Sequence, residues 1–380
     1  MSVPHERKMG LRLRYDSHMH RLILSVHLSV ALLGGVFILL LGLTGSVLVF
    51  EPELDRLFHP HLSYVKPRGN VLTLAEIGEG VSKQFSGEPI VAYLPSETAD
   101  LSSQVILPRG IVCVNQYTGE ILGMRTRGQS IFGWARDFHV RLASGDVGRI
   151  VMRWSGVAML VSLASGLYLW WPGRRLGIGG GWRSVRFWFD VHNSVGILSL
   201  APLLILAVTG TVIGFEDQAS SFLGKLTGAG EASARQSVAR RQTVPAAPAT
   251  TSELISPQVI TPDRAVAIAR AQMPGAIPYR VQMPRYGGAY RVNLDLPGDR
   301  VAGGRNLIAI DQSSGTVIFS TRSSDLSSSE RILATNEAIH TGEVFGMASR
   351  ILAWLTCVIV PVQMMSGLVL WLRRKRHARS

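Results

Sequence analysis

Cysteine is scarce in this chain of 380 residues: only Cys113 and Cys357 occur. Cys357 falls inside a long apolar run and Cys113 in a short strand-like one, so no disulfide is expected. There is no Cys-x-x-Cys-His, which excludes covalent c-type haem attachment. Charge is scarce as well. Asp, Glu, Lys and Arg make up 17% of the residues, against about 25% in ordinary soluble domains. The chain also lacks a Walker A sequence, a His-Glu-x-x-His and a nucleophile elbow. Gly177-Ile178-Gly179-Gly180-Gly181 is glycine-rich, but no strand precedes it and no mononucleotide-binding unit surrounds it, so dinucleotide binding is not expected. Any electrons the chain handles are therefore expected to come from outside it: a reductase protein, a quinol or a diffusible reductant such as a flavin.

What is present is apolar residue, 47% of the total, and it is concentrated. Leu22–Phe50, Trp154–Trp171, Val191–Phe215 and Ile351–Leu372 carry no charged side chain. Each is long enough, or nearly so, for a bilayer core that needs about 20 helical residues. These runs exclude a purely soluble enzyme, and they are too long for barrel strands that alternate over about 10 residues.

The formal net charge of +13 is not a nucleic-acid footprint. Residues 1–21, 172–188 and 372–380 carry +3, +4 and +5, so three short segments beside the runs supply nearly all of it. Basic clusters flanking spans mark the cytoplasmic side. The expected map is a cytoplasmic N-terminus (1–21), spans at 22–50, 149–171, 191–215 and 350–372, a cytoplasmic loop (172–190) and a cytoplasmic tail (373–380). Two outer segments, 51–148 and 216–349, would lie in the periplasm of a double-membrane bacterium. The first run is too long for a signal peptide and leads into Glu51-Pro52-Glu53-Leu54-Asp55 without a small-residue cleavage site, so it is expected to remain as a span.

Both outer segments read as a helix plus a hairpin. Thr73 caps a helix over Leu74–Phe85, followed by strand-like runs at Ile90–Leu94, Gln104–Leu107 and Ile111–Val114 and a turn at Asn115–Glu120. Thr261-Pro262-Asp263 opens a second helix to Gln272, followed by runs at Tyr279–Met283, Tyr290–Leu296 and Leu307–Ile310 and a turn at Asp311–Gly315. The Ala-, Ser-, Thr- and Pro-rich stretch 224–257 reads as a flexible linker.

A deeper repeat runs through the spans. His27 precedes Thr44-Gly45 and Phe50-Glu51 by the same intervals that separate His192 from Thr209-Gly210 and Phe215-Glu216. His139 precedes Arg149, Ser165-Gly166-Leu167 and Trp170 just as His340 precedes Arg350, Ser366-Gly367-Leu368 and Trp371. The chain reads as a tandem duplication of span, outer module, span. The fold class expected is a mainly α membrane protein with four transmembrane helices and two small α+β modules outside.

Of ten histidines, only His27, His139, His192 and His340 fall at equivalent places. Pseudo-twofold packing pairs His27 with His192 near the cytoplasmic side and His139 with His340 near the outer side. An imidazole within a membrane is costly without a partner, and two facing imidazoles suit the axial positions of haem iron in an apolar bundle. Gly34 and Gly45 share a helix face with His27, as Gly210 does with His192, and small residues there admit a flat cofactor or a neighbouring helix. Arg149 and Arg350 are placed to pair with haem propionates, with interfacial anchoring as the plainer role. The Thr-Gly and Ser-Gly-Leu motifs read as packing features. His20 lies on the His27 face as a reserve ligand, His18 reads as juxtamembrane, and His59-Pro60-His61 reads as a surface loop that also has the chemistry to hold a metal.

These elements resemble the PepSY-associated transmembrane proteins. The matching residues are His27 with Leu43–Asp55, Val114–Gly123, Ser165–Pro172 and His340–Gly346, which together cover nearly the whole chain. Within that family the likeness is to ferric-siderophore reductases of the ferrioxamine B type. The resemblance implies two b-type haems in a four-helix bundle, held by His27, His192, His139 and His340, and periplasmic reduction of siderophore-bound Fe(III); it leaves the siderophore open, a hydroxamate being one candidate. Asp311-Gln312-Ser313-Ser314-Gly315 and the longer linker depart from the family pattern. The alternatives from other classes are a non-enzymatic membrane protein whose modules bind a periplasmic partner or protease, and a siderophore or metal permease. The permease would call for broken helices or midplane charges, and the spans offer only Pro202 and Pro361.

Overall fold

The computed structural model describes residues 17–126, 130–227, 259–284, 288–297 and 306–377. Four long helices dominate: α1 (Ser17–Leu48), α6 (Gly145–Trp170), α7 (Val185–Gly214) and α11 (Met347–His377). All four are long and apolar enough to cross a membrane. They form a ring in which α1 and α7 each pack against both α6 and α11, so α1 stands diagonally opposite α7. The bundle is apolar outside, with Leu33 79% exposed and Leu198 75%. Inside it buries Ser155, Ser165, Ser199, Thr209, Thr356 and Ser366. Helices in lipid gain nothing from burying leucine against leucine, so small hydroxylated residues that allow close approach collect at the contacts. Each hydroxyl is satisfied by a carbonyl of its own helix, as in Ser199 to Val195 O (2.7 Å) and Thr356 to Leu352 O (2.7 Å). Gly42 marks one such approach: a β-carbon there would lie 2.7 Å from Val360 on α11.

The two outer segments do not make separate modules. They share one eight-stranded antiparallel sheet, ordered β4-β3-β2-β1-β5-β6-β7-β8. β1 (Ala92–Leu94), β2 (Ser103–Leu107), β3 (Gly110–Val114) and β4 (Ile121–Thr126) come from the first segment. β5 (Ile277–Gln282), β6 (Ala289–Asp295), β7 (Asn306–Asp311) and β8 (Val317–Thr321) come from the second. The seam is the β1–β5 pair, Ala92 with Gln282 and Tyr93 with Val281. Each half has a fourth strand beyond the expected turn. Neither β4, half-buried throughout, nor β8, alternating only over five residues, carries the apolar run that marks a core strand.

Two helices cover one face: α4 (Leu74–Gln84) and α9 (Pro262–Gln272). Ile77, Val81, Ala265 and Ala269 pack there against Val105, Val112, Val292 and Ile308. Thr73 and Glu76 form a reciprocal capping box at the start of α4. The carboxylate of Asp263 accepts from the backbone N–H groups of Leu74 (2.8 Å) and Ala75 (2.9 Å), so a residue of one half caps the helix of the other. An anion at a helix N-terminus meets both its free donors and its dipole.

Short helices join the sheet to the bundle. α2 (Glu51–Phe58) and α3 (Pro60–Ser63) follow the first span, and α8 (Glu216–Leu226) follows the third. α5 (Ile131–Arg141) lies against α1 and α6, and α10 (Ser328–Thr341) against α7 and α8. Both end in left-handed residues, Leu142 (φ 49°) and Gly342 (φ 79°), which turn the chain back into the next span. Of the expected linker, 224–227 complete α8 and turn; the remainder lies outside the described residues.

Candidate functional site

The four repeated histidines come together as two pairs. The ring centroids of His27 and His192 are 6.3 Å apart with planes at 77°. Those of His139 and His340 are also 6.3 Å apart, with planes at 48°. His27 and His192 sit on the diagonal spans α1 and α7. His139 and His340 sit in the last turns of α5 and α10, outside the spans. From His27 to Thr44, which touches His139, there are 17 residues of α1, so the two sites lie roughly 25 Å apart along the bundle.

Each imidazole is backed by a hydroxyl in the same way. Nδ1 of His27 lies 2.9 Å from Ser165 Oγ, and Nδ1 of His192 lies 3.0 Å from Ser366 Oγ. Nδ1 of His139 lies 2.9 Å from Thr44 Oγ1, and Nδ1 of His340 lies 3.0 Å from Thr209 Oγ1. A hydroxyl has one proton, and each of these four donates it to a carbonyl of its own helix: Val161 (2.6 Å), Gln363 (3.0 Å), Leu40 (2.6 Å) and Ile205 (2.7 Å). Toward the ring the oxygen must therefore accept, which assigns the proton to Nδ1 and leaves the lone pair on Nε2. Four imidazoles are thus held in the tautomer whose far nitrogen keeps its lone pair free to act as a ligand. Burial pushes His139 down to about 4 and lowers His340 as well, so both are neutral.

The glycines beside those hydroxyls make the space. A β-carbon at Gly166 would lie 3.4 Å from His27 Cε1, at Gly367 3.3 Å from His192 Cε1, at Gly45 3.4 Å from His139 Cε1 and at Gly210 2.8 Å from His340 Cε1. The Thr-Gly and Ser-Gly motifs are cradles for imidazole edges, not packing features alone. They also act across the bundle. Gly45 shares a helix with His27 but touches His139, and Gly210 shares one with His192 but touches His340. A β-carbon at Gly34 would lie 3.5 Å from Ala158 on α6, an ordinary packing distance.

Two imidazoles on opposite sides of one metal ion, each at a metal–nitrogen distance of about 2 Å, have centroids about 6 Å apart. Both pairs have that spacing. Among the described residues no group of three or more His, Cys, Asp or Glu side chains is placed to hold a metal ion. A bare ion with only two protein ligands is poorly held, whereas a ring that brings its own four equatorial nitrogens needs only two. Spacing alone is not diagnostic, since His59 and His61 are 6.5 Å apart. Their environment differs: Nδ1 of His59 is held by the Asp55 carboxylate (3.1 Å) at a partly exposed loop.

A cavity of about 1120 Å³ surrounds the His139–His340 pair, at the top of the usual range for ligand sites. Its floor within the bundle is Ile38, Leu203 and Val360, and it opens past Gly210 toward Gln104 and Tyr279 under the sheet. Cys357 borders it as a free thiol, and Cys113 is buried in β3, also free.

The two arginines expected at a cofactor edge are both engaged. Arg350 makes a two-pronged pair with Glu53 (2.6 and 2.7 Å), donates to Val49 O (2.6 Å) and lies over the Phe50 ring. That pairing holds the Glu53 carboxyl below its usual range. Arg149 pairs with Asp146 (3.0 Å). Other cavity arginines are paired too: Arg56 with Glu97 (3.3 Å), Arg136 with Glu51 (2.5 Å), and Arg125 with Asp55. Arg153 was not singled out by the repeat, because the equivalent position in the second half is Trp354. Gln363 was missed as well; its Nε2 donates to the His192 carbonyl (3.2 Å). His18 and His20 lie in the first turn of α1, beyond the inner pair.

The described basic residues of the 172–188 loop and the C-terminal segment gather at the end of the bundle away from the sheet. Arg373 donates to the Arg183 carbonyl (2.5 Å), tying the last span to the loop after the second. Arg174 over Trp171, Arg183 over Trp182 and Lys375 over Trp371 give that end a belt of cations on aromatic rings.

A bundle of four membrane helices with a polar interior, two half-buried imidazole pairs and a sheet capping one end defines a membrane protein built around a pair of two-histidine sites. The sequence matches the family described as the PepSY-associated TM region over residues 24–374, nearly the whole chain, and the protein belongs to that family. No curated protein matches it.

Proposed function

We propose that this protein is a dihaem b-type cytochrome of the bacterial inner membrane that reduces ferric siderophore to the ferrous state on the periplasmic side and so releases iron. The observation that carries the reading is the doubled site: two imidazole pairs, each with ring centroids 6.3 Å apart and each with Nδ1 tied back so that the Nε2 lone pair is free. His27 and His192 would hold one haem, and His139 and His340 the other. A haem bound in this way supplies a one-electron Fe(III)/Fe(II) couple.

The chain's own residues do the rest. Ser165, Ser366, Thr44 and Thr209 fix the ring orientation, and the adjacent glycines clear the ring edges. Between the sites Ile38, Leu203 and Val360, packed with Met159, Leu163 and Met364, keep the bundle interior dry. The cavity that opens beneath the sheet offers a ferric chelate a way to the outer pair. The overall reaction moves one electron per iron from a donor (a quinol, a flavin or a reductase protein) to chelated Fe(III), and Fe(II) leaves the weaker complex. The basic belt at the end opposite the sheet supports a cytoplasmic placement of both termini and of the 172–190 loop. The matched contacts in the two halves support a tandem duplication, with the shared sheet as the periplasmic part.

The test is pigment and its oxidation. Purified protein from haem-replete cells is expected to show a low-spin b-type spectrum with about two haems per chain. Dithionite-reduced membranes mixed anaerobically with a ferric hydroxamate siderophore should reoxidise, with Fe(II) trapped by a ferrous chelator. Colourless protein, or pigment that stays reduced, overturns the proposal.

A further inference from the structure

Among the described residues, Arg153 is the cavity arginine that pairs with no acid. It lies on α6 one turn inside Arg149, and its Nε is buried with no acceptor among the described residues. Its guanidinium stands 5.9 Å from the Phe215 ring centre. Its stem crosses α7 at Gly214, where a β-carbon would be 3.2 Å from Arg153 Cγ. The side chain is half-buried, and a guanidinium whose Nε is out of water and which meets only a ring face is under-compensated, because a cation there needs an anion or several acceptors. The Nε of Arg125 also lacks an acceptor, but that side chain is held by Asp55 and by Ser63.

Its position says what the missing acceptor is. His139 lies against α1 through Gly45, and His340 against α7 through Gly210. A flat group held between these rings would turn its faces toward the diagonal spans and its rim toward α6 and α11. On α11 the arginine at that level, Arg350, is already clamped by Glu53. On α6 Arg153 borders the same cavity opposite Gly214, one helical turn from Gly210 toward the sheet. The guanidinium therefore stands at the rim of the outer site, on the side that opens to the sheet.

Resting on the dihaem reading, we propose that Arg153 binds a carboxylate in this cavity, namely a propionate of the outer haem, and that Arg149 and Arg350 do not. Planar guanidinium and carboxylate match in charge and geometry. A charged hydrogen bond of this kind contributes about 1.5–3 kcal/mol, so its loss changes an equilibrium by about tenfold or more. The same chemistry would be met by a carboxylate on the chelate substrate, and the experiment separates the two sources.

Arg153→Gln and Arg153→Lys are compared with wild type and with Arg56→Gln, which removes an equal charge from the same cavity. The readouts are transfer of haem to apomyoglobin and the midpoint potential of each centre against pH. Arg153→Gln should release haem from one centre about ten times faster and lower that centre's potential, with the potential's pH-dependent step moved upward as the propionate loses its cation. Arg153→Lys should fall between, and it keeps the test open if the glutamine variant does not fold. Arg56→Gln should match wild type. Unchanged haem release and potential, with a raised KM for a carboxylate-bearing ferric chelate only, would assign Arg153 to substrate and overturn the proposal. A larger effect from Arg149→Gln would overturn it too. Wild-type protein without haem would instead reject the underlying function, a distinguishable failure.

Discussion

Replacing Gly210 with alanine tests the cradle geometry directly. The new methyl would stand 2.8 Å from His340 Cε1 and 3.4 Å from Nδ1, where unstrained carbon contacts fall at about 3.5–4.0 Å. The ring cannot simply retreat. Its Nδ1 is held by Thr209, the residue next to Gly210, and His139 faces it across the site. Relieving the overlap means tilting the imidazole or parting α10 from α7, an overpacking cost of about 1–3 kcal/mol. At Gly166 the same methyl would sit 3.4 Å from His27 Cε1, ordinary contact. Both substitutions share the helix-propensity gain of Ala over Gly, about 1 kcal/mol, so it cancels in the comparison. Gly210→Ala is thus expected to be worse than Gly166→Ala by about 1–3 kcal/mol, a factor of roughly 5 to 150. The assay is thermal unfolding in detergent followed by tryptophan fluorescence; on the proposed dihaem function, pigment at the outer centre is a second readout. In a His340→Ala background the penalty should vanish, since the overlapping ring is gone. Equal behaviour of the two glycines, or a penalty that persists without His340, refutes the reasoning.

Thr209→Val removes the acceptor for His340 Nδ1 while keeping the shape; it should cost about 0.5–1.5 kcal/mol and, on the proposed dihaem function, shift the outer spectrum alone, with Thr209→Ser restoring it. Asp263→Ala should destabilise the sheet region by about 1–2 kcal/mol, seen as faster hydrogen exchange at the Leu74 and Ala75 amides, with both imidazole pairs unaffected; unchanged exchange there would remove the cross-half cap. Glu53 has its folded carboxyl held below the unfolded value, chiefly by hydrogen bonding to Arg350. Its contribution is therefore complete above the unfolded carboxylate pKa and lost as the pH falls through the folded one. A thermal midpoint that drops on acidification in wild type but less steeply in Glu53→Gln is the expected record; parallel curves would count against the pair.

The sequence alone determined the membrane class, the four spans and the identity of the four histidines, because each rests on local composition or on spacing along one chain. Charge-free runs of 18 residues or more have few other homes than lipid, and two copies of one pattern show which histidines share a role. It also carried the hydroxyl–glycine motifs, but not their purpose. Helical periodicity assigns Gly45 to the face of His27, and only the packing of α5 across α1 brings His139 onto it. The tautomer likewise depends on a hydroxyl far away in the chain, 138 residues for His27 and Ser165. Tertiary structure alone decided that the outer segments merge into one sheet, since the Tyr93–Val281 seam pairs edges that look alike to any single strand. It decided, too, which arginines are satisfied. Charge is legible in a sequence, but compensation is a matter of distance in three dimensions, and among the described residues Arg350 has its carboxylate while Arg153 has none.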